Sequence, residues 1–322
     1  MKKNARFFGL AVALAAGFAF AADSSNAKKP AAKSSSHSKP TMADVHYGPA
    51  TNQVLDFYKA DATEPTPLVF FIHGGGWVHG DNHVAHWEDY VAAGISVVSI
   101  QYRFTDEAKA AGAKPPVEWP LHDAARALQF VRSKAAEWNI DKKRIGASGG
   151  SAGACSSLWL AFHDDMANPK SDDPIAREST RLMCAAVTGA QTSLDPKQMR
   201  EWTPNIGYGG HAFGFEADSA KHISQFQAFF DGREKVLPWI KEYSPYELVT
   251  SDDPPIYLTY STPPAMGQTQ TNATHSANFG VGLQEKLRVV NVPCELVFPG
   301  APDVKHKTME EFLIAMLKQP AK

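Results

Sequence analysis

Five short, continuously apolar segments recur along the chain, and they constrain its fold more than any other feature. Each has the length of a strand and is apolar on both faces, which is typical of parallel strands buried between two layers of helices. Segments with helical periodicity lie between them. The strand segments are residues 68–72, 95–100, 183–187, 256–260 and 294–298. This alternation predicts an α/β fold with a mostly parallel central sheet and helices on both faces.

The first 44 residues differ in composition from the rest of the chain. Residues 1–21 have a basic start, an apolar run and the ending Ala-Phe-Ala, which together are typical of a secretory signal peptide. The run is short for a bilayer, so we expect no stable membrane anchor. Residues 22–44 are rich in Ala, Ser, Lys and Pro, which predicts a disordered tether. We therefore expect a secreted or periplasmic protein with its folded domain over residues 45–322.

Residues 192–250 interrupt the alternation of strands and helices. Aromatic side chains are frequent in this segment, and only one helix has a clear pattern. We interpret it as an inserted cap or long loop over the carboxyl ends of the strands, where ligands bind in open α/β sheets. Its aromatic side chains would suit an apolar or sugar-linked substrate.

Charge and cysteine content exclude two other interpretations. The chain has 32 Lys and Arg against 34 Asp and Glu, a net charge of −2. Without a basic excess, nucleic acid is not expected as a partner. Three cysteines cannot all pair, so disulfides are not what stabilises this fold.

Residues 149–153 read GGSAG, which has the form G-x-S-x-G. The pattern lies between a short strand and an apolar helix, at the kind of turn that exposes a nucleophilic serine. Glycine on either side allows neighbouring backbone to approach closely. Ser148 fits the same pattern in another register, but its helix would start on consecutive glycines. Ser151 is therefore the predicted nucleophile.

A second motif, His73-Gly-Gly-Gly-Trp77, directly follows the strand at residues 68–72. Consecutive glycines allow the backbone to turn its N–H groups into a cavity. Two such groups, together with the N–H after a nucleophile, can hold the oxyanion of a tetrahedral intermediate. The order of the two motifs, each behind a strand, favours catalysis over an ordinary glycine-rich turn.

With these motifs the chain resembles the α/β-hydrolase superfamily, and more narrowly its secreted esterase and lipase branch, related to hormone-sensitive lipase and to bacterial feruloyl- and acetyl-esterase-like proteins. The resemblance covers about residues 47–317. It implies that Ser151 is the nucleophile and that Gly75, Gly76 and Ala152 supply oxyanion N–H groups. Its landmarks are residues 55–58, 73–77, 80–81, 102–103, 120–124, 141–153 and 244–245.

The acid of a catalytic triad is missing from its usual place in this resemblance, the loop after the seventh strand. Between Asp253 and Glu285 the chain contains no Asp or Glu. Asp195, in the loop after the strand at residues 183–187, is a possible acid, because some hydrolases take it from that strand end. The alternative is that Asp195 is a solvated loop residue.

The base of the triad is expected after the last strand, where family members commonly have histidine at the position of Asp303. His306 lies three residues later and is the predicted base. It could instead be an exposed histidine at the start of the final helix. His275 is the second candidate, and its alternative interpretation is a residue at the entry to the next helix.

These observations favour a serine hydrolase that cleaves carboxylic esters through an acyl-enzyme on Ser151, without a cofactor or metal. A small-molecule or polysaccharide-linked ester is the expected substrate, and no oligomeric state is predicted. Because the acid is absent and the histidine displaced, a catalytically impaired protein with a binding role remains the alternative. An exported peptidase or amidase would need the same groups.

Overall fold

The computed structural model describes residues 39–84 and 87–320. The predicted signal peptide at residues 1–21 and most of the predicted tether at 22–44 lie outside the described residues. The strands are β1 Met42–His46, β2 Val54–Tyr58, β3 Thr66–Ile72, β4 Ser96–Ile100, β5 Ile140–Gly150, β6 Cys184–Thr188, β7 Ile256–Thr259 and β8 Cys294–Val297. The α-helices are α1 Glu88–Ala92, α2 Thr105–Ala110, α3 Glu118–Ser133, α4 Ala135–Trp138, α5 Ala152–Phe162, α6 Pro196–Trp202, α7 Gln225–Asp231, α8 Leu237–Tyr243, α9 Pro245–Leu248, α10 Asn278–Val289 and α11 Met309–Leu317.

The strands form one sheet in the order β1-β2-β4-β3-β5-β6-β7-β8. Strands β3 to β8 run parallel to one another, whereas β2 is antiparallel to both β1 and β4. The predicted α/β class and mostly parallel sheet are therefore confirmed. The order also places β5, β6 and β7 side by side, so the loops that follow these strands meet at one edge of the sheet.

Helices cover both faces of the sheet because the side chains of its strands alternate between the two faces. Leu68 and Phe70 of β3 belong to the larger core, which includes the buried residues of α3, α5 and α10. Val69 and Val97 belong to the smaller core on the other face, with the buried residues of α1 and α11. Each of the two apolar faces of these strands is thus covered by its own layer of helices. None of the helices within residues 39–84 and 87–320 is both long enough and apolar enough to cross a membrane.

The amino-terminal end of the folded region differs from the sequence expectation. Strand β1 begins at Met42, three residues before the predicted domain start, and its register pairs Met42 with Phe57 and Val45 with Leu55 of β2. It is an edge strand with no fully buried residue, so it lacks the apolar pattern that identifies the buried strands.

Residues 192–250 connect β6 to β7 and contain more helix than the sequence pattern indicates. Four short helices, α6 to α9, lie within it. Each has four to seven residues, which is too short for helical periodicity to be visible. Aromatic contacts hold the segment together, for example the stacked rings of Phe213 and Phe229, whose centroids are 5.2 Å apart.

Candidate active site

Ser151 lies at the turn between β5 and α5, as the sequence predicts. Its backbone has φ 53° and ψ −120°, a region that residues with a Cβ atom rarely occupy and that stores strain. Its N–H donates to the carbonyl of Thr188 on β6 (3.0 Å), and its own carbonyl accepts from Cys155 N in the first turn of α5 (3.0 Å). Ser148, the alternative in the sequence, is a buried residue within β5.

The two glycines of the motif are required by close approach of backbone atoms. A Cβ atom on Gly149 would lie 2.5 Å from the carbonyl oxygen of Ile72, and one on Gly153 would lie 2.0 Å from that same oxygen. Both distances are far inside van der Waals contact. The glycines therefore allow β5 and α5 to pack directly against the end of β3, where the triple-glycine loop begins.

The triple-glycine loop, residues 74–76, lies against the serine. A Cβ atom on Gly74 would be 3.5 Å from Ser151 Cβ, and Gly75 and Gly76 have φ values of 92° and 64°. Within the described parts of the chain, no acceptor is found for the N–H groups of Gly75, Gly76 and Ala152. The Ala152 N–H is one of the free donors at the start of α5. The three predicted oxyanion donors are therefore not engaged in hydrogen bonds with the described residues.

Residues that directly follow β3 and β4 hold the start of this loop in place. The His73 ring is hydrogen-bonded to Gln101 Oε1 (2.6 Å) and stacks on Tyr102 with ring centroids 4.3 Å apart. The Tyr102 hydroxyl can donate to the carbonyls of His73 (2.9 Å) and Gly74 (3.0 Å). Burial lowers the pKa of His73, so its ring is neutral at pH 7 and acts as a structural support.

The segment 192–250 also contacts the triple-glycine loop. His211 Nε2 donates to the carbonyl of Gly76 (2.8 Å). The Tyr208 hydroxyl, which is buried without a hydrogen-bond partner among the described residues, lies 3.8 Å from where a Cβ atom on Gly76 would stand. The inserted segment therefore reaches the glycine loop, consistent with its interpretation as a cap.

The histidine beside Ser151 is His275. Its Nε2 lies 2.9 Å from Ser151 Oγ, within hydrogen-bond distance of a nucleophile and its base. His275 ends a short 3-10 helix, Ala273–His275, in the loop after β7. Burial lowers its pKa below the ordinary value of 6.5, so the imidazole is neutral and able to accept a proton at pH 7.

Two residues at the end of β6 determine where this imidazole lies. Gly189, with φ 59°, leaves room for the ring, since a Cβ atom there would be 3.2 Å from His275 Cδ2. Gln191 Nε2 donates to the carbonyls of Thr274 (2.6 Å) and Gly189 (3.1 Å). The loop after β7 is thereby fastened across the end of β6 and towards the serine on β5.

His306 does not contact Ser151, in contrast to the sequence prediction. Its Nδ1 is 2.9 Å from Glu295 Oε1 on β8, and its ring packs against the edge of Phe312 of α11. Strand β8 is the edge of the sheet, three strands from β5. At about 4.8 Å per strand this is roughly 14 Å. The loop after β8 instead folds back over its own strand.

Asp195 does not contact His275 either. Arg233 donates to both carboxylate oxygens of Asp195 (2.7 and 2.6 Å), and Asp195 caps the start of α6 by accepting from Lys197 N (2.9 Å). Burial alone would raise the pKa of Asp195, but the bonds from Arg233 lower it overall. Asp195 is therefore placed neither as the predicted acid nor as a solvated loop residue, but in a partly buried ion pair with Arg233 in the segment 192–250.

The partner of the His275 ring is an asparagine. Asn272 Oδ1 lies 3.2 Å from His275 Nδ1, and among the described residues no carboxylate is hydrogen-bonded to this ring. The pair escapes prediction from the sequence when only Asp and Glu are considered as partners of the base. The sequence does contain one indication of the pair: Asn272 lies three residues before His275, which is a spacing at which an asparagine side chain can cap a short turn.

A cavity of about 540 Å³ opens beside these groups, within the size range of small-molecule sites. Ser151, His275 and Asn272 line it, together with the apolar Phe71 and Met309. The serine hydroxyl is therefore accessible from a space that would hold a small ester. No cluster of side chains suited to a metal ion occurs in the parts of the chain that the structure describes.

A strained serine at a strand-to-helix turn, 2.9 Å from an imidazole and next to a glycine loop, defines with this sheet a protein of the α/β-hydrolase fold. The particular family follows from its sequence. The model of the BD-FAE family matches residues 55–272. The chain therefore belongs to the BD-FAE family.

Two relatives show the extent of the sequence similarity. Gut esterase 1 of Caenorhabditis elegans is 33% identical over 114 residues, which are 34% of this chain and 20% of that protein. Esterase LipC of Mycobacterium tuberculosis is 30% identical over 116 residues, which are 34% of this chain and 27% of that protein. The similarity thus spans less than a third of the length of either relative.

Two solved structures share the fold. A truncated carbohydrate esterase from gut microbiota superposes with a TM-score of 0.63 at 18% identity, over 86% of this chain and 96% of that one. The acetyl ester-xyloside bifunctional hydrolase from Caldicellulosiruptor lactoaceticus superposes with a TM-score of 0.56 at 24% identity, over 76% of each chain.

Proposed function

We propose that the protein is a carboxylic ester hydrolase that works through an acyl-enzyme on Ser151, with His275 as the base. The observation that carries the proposal is the 2.9 Å distance between Ser151 Oγ and His275 Nε2, at a strained turn that opens into a cavity. The N–H groups of Gly75, Gly76 and Ala152 have no acceptor among the described residues, which supports an oxyanion site next to Ser151.

The proposed reaction has two halves. Ser151 Oγ attacks the ester carbonyl carbon while its proton passes to His275 Nε2, and the resulting oxyanion accepts hydrogen bonds from the glycine loop. The carbon–oxygen bond to the alcohol then breaks, and the alcohol leaves with the proton from His275. Water attacks the acyl-enzyme with the same proton transfers and releases the acid and free Ser151.

We propose small acyl esters, free or attached to a polysaccharide, as the substrates. The cavity of about 540 Å³ supports the small size of the substrate, and the aromatic segment over the glycine loop supports its chemistry. The names of the two structural neighbours, a carbohydrate esterase and an acetyl ester-xyloside hydrolase, also support a sugar ester. The basic and apolar pattern of residues 1–21 supports a secreted or periplasmic location. Matched acetate esters and anilides would separate an esterase from an amidase, and we expect turnover of the ester only.

The test combines covalent labelling with turnover of p-nitrophenyl acetate. A fluorophosphonate should label the wild type on Ser151, and S151A should not be labelled. H275A should lose at least about 10⁴-fold in kcat, because the serine then lacks its base. H306A is the matched control and should retain labelling and turnover within about twofold. A wild type that is neither labelled nor active would refute the proposal and favour the binding role.

A further inference from the structure

We propose that Asn272 is the positioning residue of this site and that it takes the place of the carboxylate in the catalytic triad. This inference rests on the proposed function, since it concerns how His275 is held for proton transfer. A neutral amide then provides orientation for the base without providing a counter-charge.

The orientation of the Asn272 amide follows from its two hydrogen bonds. Asn272 Oδ1 lies 3.3 Å from the backbone nitrogen of His275 and 3.2 Å from Nδ1 of the same residue. A backbone N–H can only donate, so the amide atom that faces it must be the oxygen. That oxygen can only accept, and Nδ1 of His275 must therefore carry the ring proton.

This tautomer leaves Nε2 of His275 with a free lone pair directed at Ser151 Oγ, 2.9 Å away. Nε2 is then able to take the serine proton, which is the protonation state that a base requires. An amide turned the other way, with its NH₂ group towards Nδ1, would fix the wrong tautomer. The contact of Asn272 Oδ1 with the backbone prevents that rotation. Asn272 thus acts on the chemistry through His275.

The amide differs from a carboxylate in one respect, its charge. When His275 takes the serine proton it becomes an imidazolium, and no carboxylate within the described residues is hydrogen-bonded to it. The other titratable side chains on the cavity wall are His73 and His83, and the exposed His83 is paired with Asp81 at 3.0 Å. The imidazolium is therefore stabilised less than in a triad with a carboxylate.

The turn that carries Asn272 is built to hold this contact. Asn272 caps the 3-10 helix Ala273–His275, and Gln191 fastens the carbonyl of Thr274 from β6. The contact between Asn272 Oδ1 and the backbone nitrogen of His275 is sufficient to cap this helix. The additional approach of Oδ1 to the ring is what gives the residue a role in proton transfer.

Asn272→Asp tests the inference, because it keeps the shape and adds the missing charge. We expect the pKa of His275 to rise by about one unit, so the acid limb of kcat/KM moves to higher pH by the same amount. The plateau should rise by about three- to tenfold. Asn168→Asp is the matched control, since Asn168 is also exposed and accepts from a backbone N–H (Lys170 N, 3.2 Å), in the loop between α5 and β6. It should change neither quantity.

Asn272→Ala provides the second arm. It removes the acceptor for Nδ1, so the plateau of kcat/KM should fall by at least about tenfold, whereas the acid limb should stay where it is in the wild type. If Asn272 had a merely structural role, the acid limb would stay in place in N272D as well. Equal profiles for wild type, N272D and N168D in an enzyme that turns over ester would overturn the inference.

NMR titration separates this outcome from failure of the proposed function. The chain has 12 histidines, and comparison with H275A assigns the ring signals of His275. Labelling of the nitrogens should show Nδ1 protonated and Nε2 free in the wild type, and a pKa about one unit higher in N272D. These measurements need no turnover. A wild type without esterase activity would refute the proposed function, and an unchanged His275 pKa in N272D would refute the role of Asn272.

Discussion

Replacing Gly153 by alanine would test how the site is built. A Cβ atom at this position would lie 2.0 Å from the carbonyl oxygen of Ile72 and 2.5 Å from that of His73. Ordinary contact begins at about 3.4 Å, so α5 and the end of β3 would have to separate by about 1.4 Å. Both neighbours are backbone atoms, and β3 is paired on both sides in the sheet. No side-chain rotation can relieve the clash.

The magnitude follows from this geometry. Overpacking a core by one methyl group typically lowers the free energy of unfolding by about 1–3 kcal/mol. Because the backbone on both sides of Gly153 is rigid, we expect G153A to lose about 3 kcal/mol. For a domain of this size that corresponds to a fall of about 6–12 °C in Tm. The displaced atoms carry the triple-glycine loop and the serine, and a 1 Å misplacement of reacting groups can cost about 10²-fold in rate. We therefore expect kcat/KM to fall by about 10²-fold in the protein that remains folded.

The assay is calorimetric unfolding together with ester turnover at 25 °C, where G153A is still folded. Gly207→Ala is the control, because Gly207 is exposed in the segment 192–250 and no atom lies within 4 Å of where its Cβ atom would stand. Its stability should change by no more than about 0.5 kcal/mol. If G153A unfolded within 2 °C of the wild type and retained kcat/KM within about twofold, the packing argument would be refuted.

Two further predictions concern stability and the glycine loop. Burial raises the pKa of Asp253 to about 6, so the carboxyl group binds its proton more tightly in the folded state than in the unfolded chain. The protonated carboxyl group therefore contributes stability at low pH, and this contribution is lost as pH rises from about 4 through 6. Asp253→Asn should therefore raise Tm relative to the wild type at pH 7.5 but not at pH 4, and an equal gain at both pH values would contradict this. Gln101→Ala removes the partner of His73 (2.6 Å) and the donor to the carbonyl of Gly80 (3.0 Å), so kcat should fall by about tenfold with KM little changed; an unchanged kcat would show that Gln101 does not position the loop.

The elements that the sequence predicts well are those whose signal is local. Strands β3, β4, β6 and β7 are largely buried and have continuous apolar runs, and so does the half-buried edge strand β8. The turn at Ser151 has small residues where two backbones touch. Strand β1 escapes prediction because it is half-exposed at the edge of the sheet. The helices of residues 192–250 escape it because they are too short to show a period. In each case the number of consecutive residues that follow one apolar pattern decides whether the element is visible in the sequence.

The partners of Ser151 cannot be predicted in the same way, because they depend on distances across the sheet. Asp195 is a candidate acid by its place after β6, but its charge is satisfied by Arg233, 38 residues further along the chain. His306 is a candidate base by its place after β8, but Glu295 on that strand holds it. The spacing of residues in the sequence does not indicate either contact. A carboxylate or histidine in a loop is compatible with many partners until the fold is known.

The sheet order explains why the proposed base, His275, comes from the loop after β7. Strand β7 lies two strands from β5, about 10 Å, whereas β8 lies three strands away. The loop from β7 reaches the serine by crossing only the end of β6, and it does so over Gly189, where the absence of a side chain leaves space for the imidazole. The chemistry requires only that Nε2 reaches the serine hydroxyl with its lone pair free. A histidine on this loop meets that requirement, and its place next to β6 leaves an asparagine three residues earlier as the nearest group to orient it. The position of the base and the identity of its partner are thus consequences of the same loop.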